Sequence, residues 1–261
     1  MILPRDDLGT GPVVLLLHAG VADRRMWAEQ LKPLSAAGYR VIALDLPGFG
    51  EAPMAIEADA PWVDVIETLD WLGVERFALV GNSLGGRVAQ RIAVLAPGRL
   101  WALALVSSPD EQMTPSPALK AAWDAENAAL ELEDIDSAVE SVIEAWTLPD
   151  APARLRLRVA AMQRRAFELQ IQDGEIPEGP DPLEREPAAL QRLALPVLLA
   201  YGEREFADFG EAAERLAETI AGSRKAVVAG AGHLAPMERP EAFREMLLGF
   251  LEQCRSADGP T

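Results

Sequence analysis

A serine hydroxyl is a useful nucleophile at neutral pH only when a base of near-neutral pKa stands beside it and the serine projects clear of its own backbone. Gly81-Asn82-Ser83-Leu84-Gly85 offers such a serine. A strand-like run, Phe77-Ala-Leu-Val80, precedes it and a helical run from Arg87 to Ala96 follows, the context of a strand-to-helix elbow. Small residues two positions either side let so sharp a turn close, and the helix N-terminus brings partial positive charge to the serine. A serine in a short glycine pattern also occurs as a simple helix cap; the flanking strand and helix favour the elbow.

The chain has two histidines. His233, in Gly230-Ala-Gly-His233-Leu-Ala-Pro-Met, lies between the last strand-like run and the final helix. Loops at the C-terminal ends of parallel strands gather on one edge of the sheet, so a histidine there can serve a serine on a central elbow. His18 ends the first parallel strand and is expected to anchor its loop to backbone rather than carry protons. Arg154, Arg156, Arg158, Arg164 and Arg165 form a basic cluster in an acidic chain. Pairing with carboxylates such as Asp124, Glu126, Glu140 and Glu144 is expected, the sharper alternative being an inward arginine that binds a substrate carboxylate. Trp123 and Trp146 are expected in the core, with the lining of a substrate pocket as the alternative.

These side chains need a scaffold. Apolar runs read as strands at 13–18, 40–45, 77–81, 101–107, 195–201 and 225–229, alternating with helical periods at 23–37, 61–72, 84–96, 210–221 and 240–254. That alternation predicts a parallel sheet with helices on both faces. It stops after Ser107 and resumes at Leu195, so residues 1–110 and 190–261 are expected to form the core domain and 111–189 an inserted helical cap. Leu119, Trp123, Val139, Ile143, Trp146, Leu155, Val159, Met162 and Phe167 supply the cap's apolar faces, and Pro177, Pro180, Pro182 and Pro187 mark the return.

Composition narrows the classes of function. With 261 residues the chain can bury one large core, and no apolar run is long enough to cross a bilayer. No secretory leader pattern opens it, and its one cysteine, Cys254, forbids an intrachain disulfide, so a cytoplasmic location is expected. A formal charge of −17 gives no support to nucleic acid or anionic membranes as partners.

Leu15-Leu-Leu-His18-Ala-Gly with Trp27 downstream, Asp45-Leu-Pro-Gly48-Phe-Gly50, the elbow Gly81 to Gly86, Pro196-Val-Leu-Leu-Ala-Tyr-Gly202-Glu203 and Gly232-His233 span nearly the whole chain. Together they resemble the α/β-hydrolase superfamily, and within it the lid-bearing esterases, lactonases and carbon–carbon hydrolases. The resemblance implies an α/β fold, the α/β-hydrolase fold, with a mostly parallel central sheet flanked by helices and a helical cap inserted after the sixth strand of the family's count. It assigns Ser83 as nucleophile, His233 as base, and backbone amides as the oxyanion hole. Ala19 stands where the family carries glycine, so the donors fall to Gly20 and Leu84, with Val21 as the alternative. Counting from Gly202, Glu205 stands where the family has its aspartate; Asp208 and Asp110 are the alternatives. Only twelve residues precede the first parallel strand, so an antiparallel edge strand is expected to be short or missing.

The implied reaction is hydrolysis of a small-molecule ester or lactone through an acyl-enzyme, without metal or organic cofactor. Ser83 disfavours haloalkane dehalogenases and epoxide hydrolases, which use an aspartate at that position. Carbon–carbon hydrolysis of ring-cleavage products is the alternative reaction, and a non-catalytic ligand-binding receptor is the alternative of another class. Nothing in the sequence fixes an oligomeric state.

Overall fold

The computed structural model describes residues 1–55, 58–173 and 176–257. The strands are β1 (Arg5–Leu8), β2 (Val13–Leu17), β3 (Arg40–Leu44), β4 (Phe77–Asn82), β5 (Leu100–Val106), β6 (Val197–Gly202) and β7 (Arg224–Val228). They form one seven-stranded sheet in the order β1-β3-β2-β4-β5-β6-β7. β1 runs antiparallel to β3 and every other pairing is parallel. β2, β4 and β5 are buried at every position, because helices cover both faces of a parallel sheet; their sequences therefore read as unbroken apolar runs. Alternate residues feed two cores. Val14, Leu16, Val80 and Ala104 pack with Trp27, Phe243 and Leu247, whereas Leu15, Leu17, Leu79 and Leu103 pack with Leu69, Ile92 and Leu216.

The flanking helices are α1 (Ala28–Ala36), α2 (Pro61–Trp71), α3 (Leu84–Leu95), then α4 (Pro117–Glu131), α5 (Ile135–Trp146), α6 (Ala153–Asp173) and α7 (Pro182–Arg185), and finally α8 (Ala207–Thr219), α9 (Ala235–Glu238) and α10 (Pro240–Ala257). This is the α/β-hydrolase fold. Among the described residues it has a single antiparallel edge strand, so the cap follows the fifth strand of this chain, which is the sixth in the family's count. β1 carries no apolar periodicity, Arg5-Asp-Asp-Leu8, and is half-exposed; the ladder to β3 and a bidentate Arg40–Asp7 pair at 2.9 and 2.6 Å hold it. Charge on such an edge discourages pairing with another chain.

Helices α4 to α7 lie between β5 and β6. Ser116 caps α4 by accepting from the Leu119 amide at 3.2 Å, and Asp134 caps α5 by accepting from Ser137 at 3.0 Å. Leu119, Val142, Trp146, Val159 and Phe167 join the apolar cluster that holds Trp27 and Phe243, so the cap and one face of the sheet share a core. Two of the cap arginines pair with cap carboxylates as expected, though not with the four named: Arg164 with Asp136, and Arg165 with Glu168 at 4.0 Å beside a donation to the Gly50 carbonyl at 3.3 Å; Arg158 instead reaches Glu29 on α1 at 3.2 Å. Asp124 is instead held by Lys120 one turn earlier, at 2.8 Å. Among the described residues no helix is long and apolar enough to cross a membrane.

Leu16 is fully buried in β2 and Leu132 is 80% exposed after α4. Leu16→Ala is expected to cost about 2–5 kcal/mol of unfolding free energy, and Leu132→Ala less than about 0.5 kcal/mol. Urea denaturation checks both; equal losses would contradict this account of the core.

Candidate active site

Ser83 sits between β4 and α3 with φ 54° and ψ −112°, a left-handed backbone that a side-chain-bearing residue adopts only under constraint. The constraint is visible on both sides. Ser83 donates its amide to Val106 at 2.9 Å and its carbonyl accepts from Arg87 at 2.9 Å. A Cβ on Gly81 would collide with the Gly85 carbonyl, and one on Gly85 with the Leu17 carbonyl, so the turn closes only with glycine at both. The Gly85 amide donates to the His18 carbonyl at 2.9 Å, which draws the loop after β2 against the head of α3. Gly20 then lies beside Leu84. Among the described residues the amides of Gly20, Val21 and Leu84 donate to no protein acceptor.

His18 behaves as an anchor. Its Nδ1 donates to the Ala19 carbonyl at 2.8 Å and its Nε2 accepts from the Leu46 amide at 2.9 Å, joining the loops after β2 and β3. Burial pushes its pKa below the ordinary histidine value, so it stays neutral.

His233 is buried, and the rings of Trp146 and Phe209, themselves 6.1 Å apart, each lie 4.5 Å from its imidazole centre to centre. Its Nδ1 stands 2.8 Å from Glu205 Oε2. The other Glu205 oxygen accepts from the Ser107 hydroxyl and the Gly202 amide, each at 2.7 Å. The His233 loop is fixed from two further directions: Asn82 Nδ2 donates to the His233 carbonyl at 3.3 Å, and Glu238 accepts from the Gly232 amide at 2.6 Å. The second oxygen of Glu238 accepts from the Leu148 amide at 3.1 Å, which ties the end of the cap helix α5 to the same loop. Burial raises the Glu238 carboxyl, against the pull of these two donors.

The two alternative acids are occupied elsewhere. Asp208 accepts from the Ser116 amide at 2.6 Å and hydroxyl at 2.8 Å; burial alone would raise its pKa, but these donors outweigh it and hold the carboxyl below its usual range. Asp110 makes a two-pronged pair with Arg215 at 2.9 Å. Both thereby tie the segment leading into the cap to α8. Sequence reading missed Ser107 and Phe209 as neighbours of the histidine pair. Ser107 carried no signal, since its partner lies 98 positions away.

Ser83 and His233 line one cavity of about 330 Å³, together with Gly20, Val21 and, from the cap side, Trp123, Trp146 and Glu126. Trp123 thus lines the pocket, and Trp146 both lines it and belongs to the core. None of the clustered arginines lines this cavity. Glu126, expected as an arginine's partner, faces it instead. Its spacing held the signal: Leu119, Trp123, Glu126 and Leu130 recur at three and four residues, one face of α4.

Burial pushes the Glu126 carboxyl from an ordinary 4.5 up to about 7. An acid with a higher pKa folded than unfolded binds its proton more tightly in the folded state, so stability falls as pH rises from about 4.5 to about 7. The penalty is absent below that window and complete above it. Glu126→Gln should therefore be more stable than the parent at pH 8, by at most about 3 kcal/mol because residual solvent screens the charge, and equal to it at pH 4. Urea titrations at the two pH values check this; a pH-independent difference would contradict it.

A sequence profile of the alpha/beta hydrolase fold matches residues 12–240. Over 106 residues, 39% of this chain and 34% of the relative, the chain is 40% identical to epoxide hydrolase 3 of Siraitia grosvenorii. Over 105 residues, 40% of each protein, it is 38% identical to the pimeloyl-acyl-carrier-protein methyl ester esterase of Aeromonas hydrophila. The chain thus spans about a third to two fifths of the length of the curated relatives it matches. A thermophilic esterase from Thermogutta terrifontis superposes with a TM-score of 0.77 at 28% identity, covering 97% of this chain and 93% of the other. With the profile matched along most of its length and the sheet order and elbow in agreement, the chain belongs to the α/β-hydrolase fold family.

Proposed function

We propose that this protein is a serine hydrolase that cleaves a carboxylic ester or lactone of a small molecule through an acyl-enzyme. One observation carries the reading: His233, with Nδ1 engaged by Glu205 at 2.8 Å, shares a cavity with Ser83 on its strained elbow. With Nδ1–H donated to the carboxylate, Nε2 keeps its lone pair and is the nitrogen free to take a proton. His233 removes the Ser83 proton, Ser83 Oγ attacks the carbonyl, and the amides of Gly20 and Leu84 receive the negative oxygen. An oxyanion donor of this kind is worth about 10²–10³-fold in kcat. The charge that develops on the imidazole is balanced by Glu205, beside the tilted rings of Trp146 and Phe209.

His233 next protonates the departing alcohol, then activates water, which attacks the acyl carbonyl and releases the acid with Ser83 restored. Residues 111–189 act in this reading as the cap that covers the cavity. Among the relatives' activities, epoxide opening requires an aspartate at the elbow, where this chain has Ser83, whereas ester cleavage through an acyl-enzyme uses a serine.

Ser83→Ala should lower kcat for an activated nitrophenyl ester by at least about 10⁴-fold, and a fluorophosphonate should label Ser83 in the parent. Unchanged turnover in that variant would remove the assignment. Glu205→Gln should lower kcat by about 10²–10⁴-fold, and Asp110→Asn by less than about threefold. Steady-state kinetics on the three variants compares them, and the reverse order would move the acid to Asp110.

A further inference from the structure

The proposed hydrolysis uses Ser83, His233, Glu205 and two backbone amides, and leaves one charged side chain of the cavity without a role. Glu126 lines the cavity and, among the described residues, has no hydrogen-bond or ion-pair partner. It is half-buried, on the same face of α4 as Trp123 one turn earlier, and both face the space beside Ser83. No lysine or arginine lines that space to neutralise it. Trp146 and Phe209 already cover the imidazole, whereas the Trp123 ring makes no aromatic or cation contact among the described residues.

A carboxylate beside an open aromatic face is the chemistry that recognises an organic cation: the carboxylate supplies charge, and the ring accepts the apolar, positively charged surface of an alkylammonium. The geometry points to an ester bearing one alkylammonium group as the substrate class of this cavity, with Glu126 as the residue that determines the preference and Trp123 as the surface the cation rests on. This rests, for its chemical step, on the serine-hydrolase reading above. A cavity of about 330 Å³ admits one small ester of this kind. Burial holds the Glu126 carboxyl up to about 7, the behaviour of an acid that lacks a counter-ion, and a bound cation would supply one. A net charge of −17 favours the approach of cations, and the same carboxylate turns away an ester whose far end is anionic.

The test compares kcat/KM at pH 8 for three acetate esters of like size: that of choline, that of 3,3-dimethylbutanol, its neutral isostere, and that of 4-hydroxybutanoate, its anionic counterpart. The parent should favour the choline ester over the isostere by about tenfold or more, with the anionic ester slowest. Glu126→Gln should bring the cation-to-neutral ratio to within about threefold of one. Glu126→Asp should retain most of the preference and Glu131→Gln, an exposed change on the same helix, all of it. A parent ratio of one or less, or a ratio that survives Glu126→Gln, overturns the proposal. Calorimetric titration with tetramethylammonium needs no turnover and probes the cation site alone: binding at least about tenfold weaker in Glu126→Gln supports it, and equal or no binding in both proteins overturns it. Failure of all three esters together with failure of a fluorophosphonate to label Ser83 would instead remove the hydrolase reading, while the calorimetric titration would still decide the cation site at Glu126.

Discussion

A carboxylate withdrawn from water must recover its lost hydrogen bonds from the protein, and at Glu205 that requirement organises the whole C-terminal edge of the sheet. Its three donors come from the end of β5, the end of β6 and the loop after β7. Each donor is available only because a strand ends where it does. Ser107 reaches Glu205 from a left-handed backbone with φ 44°, held there by its amide bond to the Ala200 carbonyl at 2.7 Å. Ser83, at the end of the adjacent strand, is likewise left-handed and held by its amide bond to Val106. Two strained serines on neighbouring strands are costly, on the order of 1–3 kcal/mol each. The sheet that over-determines them is the part of the molecule most deeply buried.

The other buried acids follow the same rule with a different result. Asp208 and Glu238 each accept from backbone amides, and Asp110 from an arginine, so that each joins two loops distant in sequence. Two of these ties, at Asp208 and Glu238, run between the cap and the core. Glu126 breaks the pattern: among the described residues it has no donor, and burial pushes its carboxyl up to about 7.

Much of this was legible in sequence, for identifiable reasons. The parallel strands and the helices α1 to α3, α8 and α10 follow from local apolar runs and periods, which a single chain displays openly. The elbow and the His233 loop were legible because the glycines stand at fixed positions around the serine and the chain has only two histidines. β1 was not, since a polar edge strand is made by the ladder of its neighbour rather than by its own residues. The Ser107 donor to Glu205 was not, because a contact across 98 positions depends on where two strands stop. The partner of Arg158 was not, because a surface pair depends on the rotation of a helix about its axis, and α6 turns Arg158 toward α1 rather than toward α4.

Trp146 joins the two halves of the account. It is part of the apolar cluster that binds cap to sheet, and its ring also rests on His233 at 4.5 Å. Glu238 reinforces that connection by gripping Leu148, two residues beyond α5, and Gly232, the neighbour of the histidine, with the two oxygens of one carboxylate. The packing of α5 and the orientation of the imidazole are therefore not independent quantities. Trp146, which packs on His233, and Glu238, which holds its loop, both connect the imidazole to the cap, while Glu205 engages its Nδ1. In a protein so connected, changes in the cap core and changes at the histidine pair share partners, and their energetic effects combine non-additively. The cap and the His233 loop are thus tied together through contacts that no local stretch of the sequence contains.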